Sequence, residues 1–406
     1  MDATPLFRPG RLPAADRLLV ILSDIEMGAG GPLDDFPHSD LLAGIVLGYN
    51  DGPFAEIDVD LVFNGDTFDL LKTPFRGGFP RHITADVALG KLEPIARAHA
   101  PFFASVKSFL GHSRAQRRVH FIAGNHDAEL LFPEVQQRVR QLCGDDARIS
   151  FPGFRLKIGK IFVEHGSQHD RMFEMDEQFP FVELGGEQIL NISWGAAALL
   201  DAVLPLNGLL AFHDRLKPKT ALLELIPEIR ELLMERFRSY WLHDFWKGYF
   251  RGADPTRKVT WSMLKEVIWR LTSGNAEVLP DDKLLHRMTE SDQTRLFVLG
   301  HMHEPRWTSH GDRKVLQAGC LRNEYMICDR EGALRLIPKS YVEVYLRGGE
   351  PVVSHFVEFE GPAAPEGYLP ASIFDVVPAV RALISRSPPV PIDGPAGQSR
   401  HPRASS

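Results

Sequence analysis

Five short apolar runs along the chain each end in a polar cluster. Leu18–Leu22 leads into Ser23-Asp24, and Val59–Phe63 into Asn64-Gly65-Asp66. Val119–Ala123 leads into Gly124-Asn125-His126-Asp127, Lys160–Val163 into Glu164-His165-Gly166, and Leu296–Leu299 into Gly300-His301-Met302-His303. Such runs, rich in β-formers and bounded by glycine and polar residues, predict buried strands. Helical spacing covers Ala85–Ala98 and Glu134–Leu142 between them, so the chain reads as a layered α/β architecture. Ligands of open α/β sheets sit beyond the carboxyl ends of the strands. All five polar clusters lie at such ends.

The pattern changes from about Phe173 to Asp292. Leu222, Leu225, Ile226, Ile229, Leu232, Leu233 and Phe237 recur at helical spacing, and aromatics cluster at Tyr240, Trp241, Phe245, Trp246, Tyr249, Phe250, Trp261 and Trp269. This predicts a helical insertion whose aromatics form either its own core or an apolar groove for a greasy substrate. Strand patterns return after His303. Tyr341–Leu346 and Val352–Phe359 flank Arg347-Gly348-Gly349-Glu350, a hairpin signal, and are expected to complete a second sheet. The expected organisation is a core over 1–172 and 293–360, an insertion over 173–292 and a C-terminal extension over 361–406. Pro, Ser and Gly predict disorder from about residue 385.

Composition narrows the class. Of 406 residues, 44% are hydrophobic and 24% charged, which is enough to bury a core without disulfide staples. The net charge of −7 argues against broad binding of a phosphate backbone; no nucleic-acid or protein partner is expected. Cys143, Cys320 and Cys328 include no C-x-x-C pair, which points to a reducing compartment and three buried thiols. The apolar stretch Ile189–Phe212 is interrupted by Asn191, Asp201, Pro205 and Asn207, and no run reaches the roughly 18 apolar residues of a membrane span. A cytoplasmic protein is expected, with membrane-surface contact if the substrate carries lipid. Arg114, Arg117 and Arg118 read as a solvated helix face, and His112 and His120 as structural. Gln168, His169 and Asp170 read as groups orienting His165, and Arg322 could bind a substrate phosphate through paired hydrogen bonds.

Phosphoester hydrolysis needs a deprotonated water, neutralised phosphoryl oxygens and a stabilised leaving oxygen. Two divalent ions a few ångströms apart can provide all three. They need hard oxygen donors, imidazoles and a carboxylate shared between them. The strand-end clusters supply that inventory in Asp24, Glu26, Asp66, Asn125, His165, His301 and His303. Asp24 and Glu26 are two residues apart at a strand end and can project the same way; His301 and His303 share that spacing.

The order D-x-E, G-D, G-N-H-D, H and G-H-x-H resembles the calcineurin-like metallophosphoesterase superfamily, from Leu18 to about Gly319. That resemblance implies a four-layered α/β/β/α sandwich. It implies one metal on Asp24, Glu26, Asp66 and His303, and a second on Asp66, Asn125, His165 and His301, bridged by Asp66. His126 would face the phosphoryl group, oriented by Asp127. The chain departs from the pattern at Glu26, where the superfamily has histidine; a carboxylate there favours Mn or Mg over Zn, with Fe also compatible. The stretches G-G-P-L-D-D-F-P-H-S-D, N-G-D-T-F-D-L-L, G-N-H-D-A-E-L and H-G-S-Q-H-D are similar to the bacterial UDP-2,3-diacylglucosamine hydrolases, which implies a lipid-linked nucleotide diphosphate as substrate. Two other readings are a soluble nucleotide or cyclic-nucleotide phosphodiesterase capped by the insertion, and a non-enzymatic scaffold that has lost catalysis.

Overall fold

The computed structural model describes residues 13–240, 254–256, 265 and 293–386. Trp241, Phe245, Trp246, Tyr249, Phe250, Trp261 and Trp269, and residues 387–406 of the tail, lie outside the described residues.

The first strand, β1 (Arg17–Leu22), is buried on both faces. Side chains alternate across a strand, so Leu18, Val20 and Leu22 face one hydrophobic cluster while Leu19 and Ile21 face another. A near-continuous apolar run is the signature of a strand covered on both sides. Parallel to β1 run β2 (Asp58–Asn64), β3 (Arg117–Ile122) and the short β4 (Ile149–Ser150). Helices α1 (Ser39–Gly48), α2 (Ala85–Ala98), α3 (Ala100–Leu110) and α4 (Pro133–Leu142) bury their apolar faces on the side of Leu18 and Val20. The Thr84 side chain accepts from the Val87 amide and so starts α2 where the sequence predicted.

The opposite face packs on a second sheet. It contains β5 (Arg155–Ile158), β6 (Ile161–Glu164), β10 (Leu296–Leu299), β11 (Pro305–His310) and β12 (Arg313–Ala318), in the order β11-β12-β10-β6-β5. Ile161, Val163, Leu296, Val298, Leu316 and Ala318 meet Leu19, Ile21, Val62 and Ile122 between the sheets. Helices, sheet and sheet thus form an α/β sandwich. The outer face of the second sheet carries a separate cluster of Phe297, Leu299 and Val315.

β10 pairs in parallel with β6, so the chain leaves this sheet after β6 and returns to the adjacent position. The excursion includes a hairpin, β7 (Phe181–Leu184) and β8 (Glu187–Leu190), followed by α5 (Trp194–Ala198), α6 (Asn207–Asp214), β9 (Leu216–Lys217), α7 (Lys219–Leu225) and α8 (Pro227–Ser239). Leu222, Ile226, Ile229 and Leu232 share a cluster with Tyr325 and Ile327 of β13 (Tyr325–Ile327) and with Val380 of α9 (Val377–Arg386). β13 pairs with both β9 and β14 (Leu334–Leu336). The insertion is therefore fastened to the segment between β12 and the C-terminal hairpin, and to α9 after it.

The C-terminal hairpin corrects one expectation. β15 (Lys339–Arg347) and β16 (Glu350–Phe359) join the first sheet, with β15 antiparallel to β1. Val342, Val344 and Leu346 of β15 enter the inter-sheet core, and Tyr341 and Tyr345 the helix-facing core. A strand with apolar groups on both faces is best buried inside a sandwich, next to β1. A second correction concerns the basic run. Arg117 lies on β3, fully buried, and donates to the carbonyls of Tyr49, Phe54, Ile57 and Gln116 and to Asn50. A third concerns the thiols: Cys143 and Cys320 are buried, whereas Cys328 is exposed.

His38 precedes α1 and accepts from the Asn323 amide through Nε2, at 3.2 Å. Burial, reinforced by the Lys339 ammonium and opposed by Asp34, lowers its pKa to about 4. An unfolded histidine titrates near 6.5. The folded chain therefore binds fewer protons than the unfolded chain between these values. This contribution to stability is present above pH 6.5 and is lost as pH falls toward 4. The urea midpoint is expected to drop between pH 7 and 5, and His38→Gln should shrink that drop. An identical drop in the variant would refute the assignment.

Candidate metal centre

The carboxyl ends of β1, β2, β3, β6 and β10 converge on one edge of the sandwich. Asp24, Glu26, Asp66, Asn125 and His165 are buried there; His126, His301 and His303 are partly open. The loops are stitched together by backbone bonds. The Ile25 and Glu26 amides donate to the Asp66 carbonyl at 3.0 and 2.8 Å, and the Leu321 and Arg322 amides to the Asp24 carbonyl at 3.1 Å.

The backbone is strained where it presents these side chains. Among the described residues, seven non-glycine residues have left-handed φ, and five of them are Asp24, Glu26, Asp66, His301 and His303. A side chain in that region costs about 1–3 kcal/mol, and such residues gather at functional sites. Gly124 and Gly300 make the close approach possible. A Cβ on Gly124 would lie 2.2 Å from the Asp66 carboxylate, and one on Gly300 1.9 Å from the Ser23 hydroxyl.

Asp24, Asp66 and His165 place one ligand atom each within 4.8 Å of one another. The His165 Nε2 lies 3.1 Å from Asp66 Oδ2 and 3.0 Å from Asn125 Oδ1. His165 Nδ1 is 3.0 Å from the Asn64 carbonyl, which fixes the tautomer with Nε2 free to ligate. A second group, Glu26, Asp66 and His126, overlaps the first at Asp66. His303 Nε2 sits 3.2 Å from Asp24 Oδ1 and 3.6 Å from Glu26 Oε1, and its Nδ1 is 2.8 Å from Glu324. The carboxylate of Glu324 thus holds the His303 ring with Nε2 toward Asp24 and Glu26, as a carboxylate orients an imidazole that could hold a metal. His301 stacks edge-on to His165 at 5.3 Å between centroids, with Nε2 3.4 Å from Asp170. Buried carboxylates and imidazoles that overlap at one aspartate are a donor set that fits two divalent ions.

Glu26 is engaged differently from the others. Both its oxygens lie 2.7 Å from Arg322 Nη1, and Oε2 is 2.9 Å from Lys72 Nζ. Burial alone would raise its pKa, but Arg322 and then Lys72 outweigh it and hold the carboxyl well below the ordinary range. Arg322 therefore stands at the site, with its guanidinium paired to carboxylates.

His126 is held by Asp69, not by the neighbour that the sequence suggested. Its Nδ1 lies 2.9 Å from Asp69 Oδ1. Asp127 instead accepts from the amides of Gly124, Asp66 and Thr67, at 2.7, 3.1 and 2.7 Å, and so fixes the loops that carry Asp66 and Asn125. Burial would lower the pKa of His126, but Glu26, Asp66 and Asp69 together raise it to about 10. An imidazole whose Nδ1 is held by a carboxylate keeps Nε2 available to a phosphoryl or leaving oxygen. His126→Ala is expected to lower turnover by about 10²–10⁴-fold with metal content unchanged, and Asp69→Asn to lower it less. Loss of metal in His126→Ala, read by elemental analysis, would move His126 into the ligand set.

Of the other residues singled out in the sequence, His169 pairs with Glu164 at the end of β6, and Gln168 accepts from the Gly166 amide at 3.0 Å. His112 Nε2 lies 2.7 Å from the Ala55 carbonyl, and His120 Nδ1 2.7 Å from the Ser150 hydroxyl, both away from the site. Asp69, Lys72, Glu324 and Asp214 escaped the sequence reading. Asp69 and Lys72 follow Asp66 in the same short loop, and Glu324 follows Arg322 by two residues; their closeness to expected site residues was the available signal.

Fold and donors together define an α/β sandwich with a strand-end centre built for divalent cations. No sequence-family model matches the chain, and the search of curated proteins gives no match. Solved structures similar to it include three that cover most of this chain. One is a dimetal phosphatase from Danio rerio, at 12% identity and a TM-score of 0.33, covering 85% of this chain and all of that one. Another is vacuolar protein sorting 29 from Cryptosporidium parvum, at 12% and 0.26, covering 86% of this chain and all of that one. The third is the phosphopantetheinyl hydrolase of Mycobacterium tuberculosis, at 14% and 0.28, covering 76% and 92% of the two chains.

Proposed function

We propose that the protein is a metal-dependent phosphoesterase that hydrolyses a phosphodiester or pyrophosphate bond. One observation carries this reading: the strained residues Asp24, Glu26, Asp66, His301 and His303 all sit at strand ends that converge on one edge. Asp24, Asp66, Asn125, His165, His301 and His303, with Glu26, would hold two divalent ions, with manganese the favoured metal for a carboxylate-rich set. Such ions supply a water acidic enough to attack near neutral pH and neutralise the phosphoryl oxygens. His126, held by Asp69, donates toward the phosphoryl group.

The finer reading is a lipid-linked nucleotide diphosphate as substrate. Among the described residues no single helix is long and apolar enough to cross a membrane, but one bent pair, Trp194–Leu206 and Gly208–Asp214, passes on length and composition. The apolar side chains of that pair are mostly buried in the fold, and it ends at Asp214, which faces Lys72 and Arg322 beside Glu26, so the apolar helices of the insertion adjoin the polar centre. The test is elemental analysis of the purified chain together with turnover of bis(p-nitrophenyl) phosphate and of an acylated nucleotide diphosphate. Bound divalent metal with turnover of the diester supports the reaction class, and faster turnover of the acylated substrate supports the lipid. A chain without metal or turnover would be the scaffold instead.

A further inference from the structure

Asp214 occupies an unusual position. It is the last residue of α6, in the insertion, yet its carboxylate lies against cations from three different segments. Oδ2 is 3.2 Å from Lys72 Nζ, in the loop after β2, and 3.2 Å from Arg322 Nη2, in the loop after β12. Oδ1 is 3.3 Å from Lys219 Nζ at the start of α7. The carboxylates packed around Lys72 and Arg322 are otherwise buried: Glu26, Asp35, Asp69 and Glu324 are at most 3% exposed, whereas the Asp214 side chain is 49% exposed.

The charges can be followed pair by pair. Lys72 reaches Asp35 at 2.6 Å and Glu26 at 2.9 Å, Arg322 reaches Glu26 at 2.7 Å, and Arg215 reaches Asp35 at 2.5 Å. Lys72, Arg322 and Arg215 thus face two buried carboxylates, Glu26 and Asp35, and Asp214, at the solvent edge, adds the third negative charge. The second face of Asp214 adds Lys219, itself 28% exposed. An anion held by an ammonium, a guanidinium and a second ammonium, open to water on one side, has the coordination that a phosphate would take.

We propose that Lys72, Arg322 and Lys219 form an anion position beside the metal centre, filled in this structure by Asp214, and that a phosphate of the substrate adjacent to the one being cleaved displaces Asp214 from it. This rests on the phosphoesterase reading and narrows its substrate to one with a second phosphate, as in a nucleotide diphosphate. Displacement keeps the cations paired at every stage, since a buried cation without a counter-charge is costly. It also links substrate binding to the insertion, because Arg215, the next residue, is pinned to Asp35 and to the carbonyls of Pro32 and Asp34. The Asp214 side chain can swing out while its backbone stays docked.

The probe is inorganic phosphate, titrated calorimetrically into the full-length chain as purified, so that any phosphate held through metal contributes equally to wild type and variants. Asp214→Asn removes the competing charge and should tighten phosphate by about fivefold, which corresponds to one unit-charge interaction near 4 Å in a water-like medium. Asp214→Glu keeps the charge and should bind as wild type does. Lys219→Gln, at a half-open position, should weaken phosphate without disturbing the buried pairs. Unchanged or weaker binding in Asp214→Asn, or an unchanged affinity in Lys219→Gln, overturns the proposal. If Asp214→Asn does not fold, the Lys219→Gln result decides. Tighter phosphate in Asp214→Asn with no turnover of any ester by wild type would leave the anion position standing and remove the enzymatic reading. Turnover without the phosphate response would do the reverse.

Discussion

Asp66→Asn is expected to abolish hydrolysis of bis(p-nitrophenyl) phosphate, with a loss of about 10³-fold or more, and to lower bound metal. Asp66 belongs to two of the donor groups at the site, that of Asp24 and His165 and that of Glu26 and His126. One oxygen lies 3.1 Å from His165 Nε2, and the other accepts from the His126 amide at 2.7 Å. The carboxylate therefore connects the His165 imidazole with the loop that presents His126. The neighbouring imidazoles His165 and His126 overcome the effect of burial and hold it ionised, with its pKa far below the ordinary carboxylate value. An amide of the same shape has one neutral oxygen and a nitrogen that cannot ligate a hard cation, so it cannot neutralise two ions. The backbone at Asp66 is left-handed, a region that asparagine tolerates well, so the variant should fold. Turnover in Asp66→Asn within tenfold of wild type, with metal retained, would sink the two-ion reading.

The strands that carry the site were legible because each is a short apolar run closed by glycine and polar residues. β10 spans Leu296–Leu299 as the pattern gave it, and α2 spans Ala85–Ala98. The partners of those strands were not legible. β15 has the same apolar character whether it lies beside β1 or in the second sheet, and only packing decides. Arg117 illustrates the same limit for a charged residue. The sequence shows a cation, but not the four backbone carbonyls that cage its guanidinium.

Within the site, residues that present donors at strand ends could be read from type and spacing. Residues that hold those donors could not. Asp69 takes the His126 imidazole although Asp127 is its neighbour in sequence, because the loop turns Asp127 inward onto the amides of Gly124, Asp66 and Thr67. Lys339 is buried and donates to the carbonyls of Leu321 and Arg322 and to Asn323, so a strand lysine fixes the loop from which Arg322 reaches Glu26. Asp214 lies far along the chain in a segment with no motif, and only the folded insertion brings it to Lys72.

Glu26 is where the chain leaves the D-x-H pattern, and a change there is expected to have the largest effect on stability. Its carboxylate is 1% exposed and pairs with the buried Arg322 and the part-buried Lys72. Removing one partner of a buried pair leaves the other charge uncompensated, at a cost of about 3–5 kcal/mol. Glu26→Gln keeps the size but removes the charge, and Glu26→His installs the pattern residue but brings a neutral or cationic ring against two cations. Both should lower the urea unfolding free energy by about 3 kcal/mol or more, with Glu26→His the worse of the two. Pairing Glu26→Gln with Arg322→Met should recover part of the loss, since groups in one ion-pair network are not additive. The same variants separate the two roles open to Glu26. A glutamate that only pairs with Arg322 and Lys72 would leave metal stoichiometry unchanged in the double variant, whereas one that also ligates would show reduced manganese after reconstitution with limiting metal. Wild-type stability in Glu26→Gln would contradict the buried pairing itself, and with it the explanation of why a carboxylate stands at this position.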